Sequence, residues 1–355
     1  MLISTSAFAQ EVNKATVTTQ ANAAAAAQGD LKKVDTGEKL WKFSGSTGLN
    51  AAATGLVNWA AGGNNNVNGV AFGRLRLLYH KNKLAWDSSL DTEFGMSYID
   101  QKDDKVQKSS DKFKIASKLG YEIAKGWYAT GLFGFNTQYA LGRSYKGLGD
   151  DNPIISKGLA PAYTDISAGL DWKPNDIFSV YISPVAGRFT TVFVSESTND
   201  KYDYLCPVSA GGLEQSLKEK YGVWKYRGTG NTRDYSSNTR AELGFSLKAA
   251  ANYSLKDLKV SSTLQLYTPY AWDKTEVFDD NGNFTGYRDN GRRVGNFDVD
   301  WDVALSYQFM KCLQATLSTS LKYYNGVKIA DKDGNNPCER VQFKTILGVG
   351  LGYSF

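Results

Sequence analysis

Hydrophobic and polar residues alternate along most of this chain, from about Trp41 onward. The segment LAWDSSLDTEFGMSY, Leu84 to Tyr98, is the clearest case: its even positions are mainly large and apolar, and its odd positions are mainly Asp, Glu and Ser. Because successive side chains of a β-strand point to opposite faces, the pattern predicts a strand with one apolar and one acidic face. At about 15 residues, the strand would be far longer than the ~5–6 residues usual in globular proteins.

The same alternation recurs in segments that predict about twelve strands. Short connections, such as residues 80–83 and 173–176, alternate with long ones, such as 142–161 and 195–235. An even number of long strands, with short turns on one side and long loops on the other, is typical of outer-membrane barrels. We therefore predict an all-β fold, a transmembrane up-and-down antiparallel β-barrel of about 12 strands that covers residues 38–355.

Two details of the alternation lead to further expectations. Across the first short turn, pairing of Tyr79 with Leu84 would bring Arg76 opposite Asp87, so these two side chains are expected to attract each other. The apolar positions also change from even to odd numbers across Pro184. Because Pro cannot donate a backbone hydrogen bond, we expect a β-bulge there.

The aromatic residues add a membrane signature. They make up 13% of the chain, which also has 35 Gly and only 7 Pro, as suits a protein of long strands. No stretch approaches the ~18 consecutive apolar residues of a membrane-spanning helix, so a bundle of such helices is excluded. Aromatic residues at the short-turn ends of the strands predict a girdle at the periplasmic interface of the bilayer, formed by Trp41, Trp86, Trp127, Trp172, Tyr253, Tyr307 and Phe355.

The sequence predicts an export signal near the start of the chain and a barrel-closing strand at its end. An AFA triplet at positions 7–9 is a small-x-small cleavage site, so residues 1–9 are interpreted as the remnant of a signal peptide. Residues 10–37 contain few large apolar side chains and are expected to form a flexible periplasmic leader. The last strand, residues 341–355, is expected to pair with the strand that starts near Trp41 and so remove both free edges.

Charged residues fall on the faces that are predicted to point inward. The candidates are Arg74, Arg76, Asp87, Asp91, Glu93, Lys114, Lys118, Arg188, Arg240, Asp298, Asp300 and Asp302. In a channel, basic and acidic residues on opposite walls would create a transverse field that selects solutes. In a closed barrel, the same charges would pair across strands and fill the lumen. Twelve strands lie between ~8, for which side chains fill the interior, and ~16–18, which leave an aqueous channel.

Residues 213–224, LEQSLKEKYGVW, are a candidate short helix in a long loop. Folded into the mouth of the barrel, this helix would act as a constriction.

Side chains for catalysis or metal binding are scarce. His80 is the only histidine and falls in a short periplasmic turn, away from the loop side, so we expect no enzyme. The three cysteines lack the spacing and the histidine neighbours of a zinc site, so no metal and no cofactor is expected. Cys206 and Cys338, both on long external loops, are the candidates for a disulfide. The net charge of +5 carries no nucleic-acid signature.

The segment LNAAATGLVNWAAGGNNN, residues 49–66, carries a more specific pattern. Its LNxA and NWxxGG motifs, together with the acidic strand at 84–98 and Thr137-Gln138, resemble a family of Bacteroidota outer-membrane barrel proteins of unknown function. The resemblance implies a Gram-negative outer-membrane location and supplies no catalytic residue.

These patterns predict a protein of the cell outer membrane that contacts lipid and lipopolysaccharide and is inserted by the barrel-assembly machinery. The expected function is a narrow channel for the passive passage of small polar solutes. The alternative is a non-conducting structural or accessory subunit of an outer-membrane complex, with further envelope partners. Conductance in a planar bilayer distinguishes the two.

Overall fold

The fold is known from a computed structural model. The structure describes residues 40–54, 66–100, 105–143, 154–175, 177–198, 212–227, 232–271, 274–279, 283–289, 293–310, 313–323, 325, 328–329 and 338–354. The predicted signal remnant (1–9), the predicted leader (10–37), the NWxxGG motif (58–63) and Phe355 lie outside these residues.

Twelve long antiparallel strands close into a barrel, which confirms the predicted fold. In chain order the strands are β1 (Trp41–Thr54), β2 (Asn66–Lys81), β3 (Leu84–Ile99), β4 (Val106–Ala124), β5 (Trp127–Thr137), β6 (Gly142–Arg143), β7 (Ile154–Ser156), β8 (Ala162–Trp172), β9 (Phe178–Thr191), β10 (Lys225–Arg227), β11 (Thr232–Asp234), β12 (Thr239–Leu255), β13 (Leu258–Pro269), β14 (Lys274–Phe278), β15 (Phe284–Asp289), β16 (Asp298–Gln308), β17 (Leu313–Tyr323), β18 (Lys328–Ile329), β19 (Cys338–Glu339) and β20 (Gln342–Ser354). The barrel order is β1-β2-β3-β4-β5-β8-β9-β12-β13-β16-β17-β20. The remaining strands form small hairpins within the long loops.

The two faces of the barrel wall differ in polarity. Along β3, Asp87 and Asp91 are buried, whereas Trp86 and Phe94, which point the other way, are exposed. Polar side chains inside and apolar side chains outside are the reverse of the arrangement in water-soluble proteins. This arrangement fits a barrel that is surrounded by lipid.

The first hairpin is two residues tighter than predicted. Tyr79 pairs with Trp86 rather than with Leu84, which pairs with Lys81. The turn is short because Asn82 adopts a left-handed φ of 54°, a conformation that Asn tolerates better than most residues. Since side chains repeat every two residues along a strand, a shift of two leaves every side chain on its predicted face.

The last strand closes the barrel on the first, as predicted. The pairing of β1 with β20 runs from Ser46 opposite Ser354 to Leu49 opposite Leu351. Trp41 lies outside this seam, and its ring packs on the rings of Tyr79 and Trp86 instead, with centroid distances of 4.6 Å and 5.9 Å.

The predicted bulge at Pro184 is present in β9. Ala168 of β8 pairs with Val185, but Leu170 pairs with Ile182, so β9 has one residue more than β8 between these pairs. Ile182 and Val185 are both exposed on the outer face, which explains the change from even to odd positions. The Tyr270 hydroxyl donates a hydrogen bond to the Pro184 carbonyl oxygen from outside.

The long loops on one side contain an external cap, which we define as residues 154–160, 192–194 and 212–224. Its helix, α1 (Gly212–Tyr221), confirms the predicted helix in position. The buried apolar core of the cap consists of Ile154, Ala160, Val192, Val194, Leu213, Leu217 and Val223. The apolar side of the helix packs on the other loop segments. The constriction of the mouth by this helix stays a prediction.

No helix within the described ranges is long and apolar enough to cross a membrane.

The bulge makes β8 sensitive to substitution at Gly169. A Cβ atom there would lie 2.1 Å from the Ile182 carbonyl oxygen and 2.7 Å from the Ser183 Cα atom. Because backbone atoms would have to move, Gly169→Ala is expected to lower the free energy of unfolding by about 1–3 kcal/mol. Gly131→Ala is the matched control, since a Cβ at Gly131 would meet nothing within 4 Å. The measurement is urea unfolding of the folded barrel, and equal midpoints for the two variants would contradict this account of the bulge.

Candidate functional site: the barrel lumen

The predicted lumen charges lie on the inner face of the barrel. Asp87, Asp91, Glu93, Lys118 and Asp298 are buried. The others are partly accessible: Arg74, Arg76, Lys114, Arg188, Arg240, Asp300 and Asp302. Most of these residues, with further partners, form three groups of ion pairs, and Arg240, Asp300 and Asp302 lie beside them.

The first group joins three neighbouring strands. Asp91 of β3 pairs in register with Arg74 of β2 on one side and with Lys114 of β4 on the other. The Arg74 Nε atom lies 3.6 Å from Asp91 Oδ1. One step nearer the short turns, Arg76 Nε donates a hydrogen bond of 3.0 Å to Asp87 Oδ1, which confirms the expected attraction between these two residues. The acidic residues of β3 are thus enclosed between two basic strands.

The second group fills the wall formed by β4, β5, β8 and β9 near the short turns. Asp171 is fully buried, and its carboxylate lies 2.6 Å from the Lys118 ammonium and 3.7 Å from the Lys173 ammonium. The Lys118 ammonium also faces the Tyr181 ring, and the Lys173 ammonium faces the Tyr128 ring. Both rings are buried. These side chains leave little accessible surface on this part of the wall.

The third group lies near the loop side. Arg188 of β9 contacts Asp165 of β8 at 3.3 Å and Asp298 of β16 at 3.5 Å. Between these two carboxylates, its guanidinium lies 4.1 Å from the centre of the Tyr267 ring. Arg188 therefore links strands that are not neighbours in the barrel. Asp298 in turn accepts a hydrogen bond of 3.0 Å from the Asn325 backbone N–H.

Two further cations lie at the loop side. Arg240 Nη2 is 3.3 Å from Glu242 Oε2, and its Nη1 donates a hydrogen bond to the Gly222 carbonyl oxygen, just after α1. This contact ties the external cap to a lumen-facing residue. Three strands further around the barrel, on β17, the Lys322 ammonium lies 2.9 Å from Asp300 Oδ1. Asp302, next along β16, interacts electrostatically with Lys114 and Lys248 from the other walls.

Access to the lumen is uneven around the barrel. The Arg76 and Lys322 side chains, next to the wall formed by β17, β20 and β1, are 27% and 42% exposed. Lys118 and Asp171, on the far wall, are 7% and 0% exposed. Asp165 and Arg188 are exceptions on the far side, 48% and 22% exposed near the loop ends of β8 and β9.

Small residues occupy the wall that borders the accessible side chains. The register there brings Gly48 opposite Gly352 and places Gly348 opposite Thr316. We call this part of β17, β20 and β1, around Gly48, Gly348 and Gly352, the small-residue wall; beyond it the same three strands also carry Lys42, Lys322 and Lys344. Ser44, in register with Arg76, continues this wall toward the short turns and is partly accessible.

The predicted girdle residues lie where expected among the described residues. Trp41, Trp86, Trp127, Trp172, Tyr253 and Tyr307 are exposed near the short turns. Trp127 and Trp172 pair across strands, with ring centroids 5.9 Å apart. Phe355 lies outside the described residues. The thiol of Cys338 is free and exposed, and Cys206 lies outside the described residues, so a disulfide between them stays a prediction.

Sequence reasoning missed the aromatic residues of the lumen. Tyr128, Tyr181 and Tyr267 were not predicted to face the lumen. Their positions hold the signal that could have found them: each lies one residue away from a lipid-facing residue, as Tyr128 does from Trp127.

Comparisons with known proteins add little about the site. A family model described as a protein of unknown function (DUF3078) matches residues 52–142, about a quarter of the chain. No curated protein matches the chain.

Several solved structures are similar at low scores. The translocator domain of the autotransporter NalP from Neisseria meningitidis has a TM-score of 0.39 and 10% identity, covering 97% of this chain and 99% of that one. An outer-membrane channel from Pseudomonas putida F1 has a TM-score of 0.38 and 11% identity, covering 90% and 100%. Outer membrane phospholipase A from Escherichia coli has a TM-score of 0.33 and 12% identity, covering 95% and 97%. At this level of similarity, no property of these proteins is transferred to the chain.

The buried ion pair of the far wall should depend on both partners. Lys118→Met leaves the Asp171 carboxylate buried, with Lys173 at 3.7 Å as its remaining counter-ion. The free energy of unfolding is expected to fall by about 3–5 kcal/mol, because the buried carboxylate loses its nearer counter-ion and keeps only the more distant one. Lys118→Met combined with Asp171→Leu should recover most of this loss, since an apolar pair needs no counter-ion. Denaturant unfolding of both variants tests this, and a double variant as unstable as the single one would contradict it.

The external cap depends on a neutral Tyr221. The phenol donates a hydrogen bond of 2.6 Å to the Ile155 carbonyl oxygen, and burial raises the pKa of this phenol above its ordinary value. Its contribution to stability is therefore fully present below the ordinary tyrosine pKa of about 10 and is lost only as pH rises through the higher value of the folded state.

In an absorbance titration at alkaline pH, Tyr221→Phe should leave the main tyrosine transition near pH ~10 unchanged, because Tyr221 stays protonated there. Loss of one tyrosine from that main transition would contradict the role given to this phenol. Tyr287→Phe is the control, since Tyr287 is an exposed tyrosine on the loop side.

Proposed function

We propose that this protein is an outer-membrane β-barrel that acts as a narrow channel for the passive passage of small polar solutes. The observation that carries the proposal is the uneven access to the lumen. Arg76 near the short turns and Lys322 near the loops are both partly exposed, and both border the small-residue wall. A solute path along this wall would connect the two ends of the barrel.

The filled far wall supports a narrow path. Twelve strands enclose more space than the ~8 whose interior is filled by side chains alone, and less than the ~16–18 of wide porins. Here the large side chains Lys118, Tyr128 and Tyr181 occupy one side of the lumen. The remaining space lies off centre, beside Ser44 and Gly48, where side chains are small.

The same physical features support the proposed location. The apolar outer wall suits a bilayer, and the exposed Trp residues near the short turns suit a membrane interface. We propose that outer-membrane lipid and lipopolysaccharide surround the barrel and that barrel-assembly machinery inserts it. Membership of a Bacteroidota outer-membrane family is part of the same proposal and rests on the LNxA and NWxxGG motifs.

The ion pairs that join walls favour a second candidate, a non-conducting structural or accessory subunit of an envelope complex. Arg188 links β8, β9 and β16, and Arg240 ties the external cap to the barrel. Such links make a barrel rigid, which would suit a structural role. Partner proteins that copurify in fixed ratio would support this candidate.

We also propose that the protein is not an enzyme. His80 is the only histidine of the chain, and it lies beside the turn between β2 and β3. The nearest long loops are at the opposite end of the barrel, so no base of this type is available to a site there.

A pair of substitutions on adjacent residues of β1 tests the channel. Ser44 faces the lumen, whereas Phe43 is exposed to lipid. Ser44→Tyr is expected to lower the single-channel conductance in planar bilayers, because the ring would occupy the proposed path. Phe43→Tyr places the same ring on the outer wall and should leave the conductance unchanged. Absence of any current from the folded wild-type protein would overturn the channel and favour the second candidate.

A further inference from the structure

The accessible member of the ion pairs inside the barrel is nearly always the cation. Arg74 is 21% exposed and its partner Asp91 is 7% exposed; for Arg76 and Asp87 the values are 27% and 5%. Lys322 and Asp300, and Arg240 and Glu242, follow the same order. The exception is the pair of Arg188 with Asp165, in which the carboxylate is the more exposed group.

The length of the basic side chains does not by itself explain this order. Each exposure is a fraction of that side chain's own full surface, and Lys118, also long and also paired, is only 7% exposed. What differs is the local position: Arg74 and Arg76 lie on β2, next to the small-residue wall, whereas Lys118 lies near the short turns of the far wall; Arg188, nearer the loop end of that far wall, is 22% exposed. The carboxylates of Asp87 and Asp91, on β3, are covered by their basic neighbours.

This arrangement gives the proposed path a positive lining. Arg74 and Arg76 are two residues apart on one strand, so both lie on the lumen side and one above the other along the path. A solute on the path meets a guanidinium first, with the neutralising carboxylate behind it. At about 5 Å in water-like surroundings, one unit charge changes the ratio of anions to cations about four- to sixfold after screening by salt, and the carboxylate behind the guanidinium offsets part of this effect.

We infer that the channel selects small anions and that Arg74 and Arg76 are its selectivity-determining residues. The inference rests on the proposed function. Carboxylates, phosphates and inorganic anions are the solute class, because guanidinium groups bind planar and tetrahedral oxyanions well.

The experiment measures ion selectivity of the full-length protein in planar bilayers. The reversal potential across a KCl gradient gives the permeability ratio of chloride to potassium, which is expected to exceed one for the wild type. Arg76→Gln combined with Asp87→Asn removes the accessible cation and its buried partner together, so no carboxylate is left unpaired. The permeability ratio should fall roughly two- to threefold. Arg74→Gln combined with Asp91→Asn is a second variant of the same design and should act in the same direction.

The matched control removes an ion pair from the far wall. Lys118→Gln combined with Asp171→Asn also deletes one cation and one anion, and the permeability ratio should stay at the wild-type value. Folding of each variant is checked by its heat-dependent mobility on gels. If the wild type conducts but prefers cations, the inference is wrong while the proposed channel stands. The same holds if the β2–β3 variants and the control change the permeability ratio equally. A folded wild type that carries no current overturns the proposed channel, and the inference with it.

Discussion

Backbone hydrogen bonding without water is the constraint on which this structure depends. Within a bilayer, an N–H or C=O group that lacks a partner costs several kcal/mol, so every membrane-spanning strand must pair on both sides. Twelve antiparallel strands satisfy this requirement when β20 returns to β1. Where regular strand pairing is interrupted at the Pro184 bulge, the Tyr270 hydroxyl donates a hydrogen bond to the carbonyl oxygen of the bulged residue.

Closure also fixes which side chains face the lumen. Alternation along each strand sends every second residue inward, and a twelve-stranded barrel is too wide for these residues to fill it evenly. The chain places large side chains on one wall, as with Lys118, Tyr128 and Tyr181, and small residues such as Ser44, Gly48 and Gly352 on the opposite one. The exposure of the ion pairs differs between the two walls in the same way. Pairs beside the small-residue wall have accessible cations, whereas the Lys118–Asp171 pair is buried.

The fold was predictable because side-chain direction along a strand repeats every two residues, so a register error of two residues leaves each side chain on its correct face. The tighter turn at Asn82 moved Tyr79 from Leu84 to Trp86 without changing any face, so the Arg76–Asp87 contact survived the wrong register. The inward charges were found for the same reason. Contacts between distant strands could not be predicted from the sequence. Arg188 contacts Asp298 across two intervening strands, and the alternation within a strand does not indicate which distant strand its side chains will meet. The cap core, built from segments far apart in the chain, was likewise not predictable beyond its helix.

The base–acid–base arrangement of β2, β3 and β4 has a consequence for assembly. Arg76 and Asp87 are 11 residues apart and belong to one hairpin, so their contact needs only a short loop to close. These charges can neutralise each other as soon as the hairpin forms, before the remaining strands are in place. Lys118–Asp171 and Arg188–Asp298 have to wait for more of the wall. An unpaired charge in the interior of a membrane protein is expensive. Pairs within one hairpin, which also include Asp300–Lys322 and Asp165–Arg188, can therefore form alone, whereas the pairs between more distant strands hold the finished barrel together.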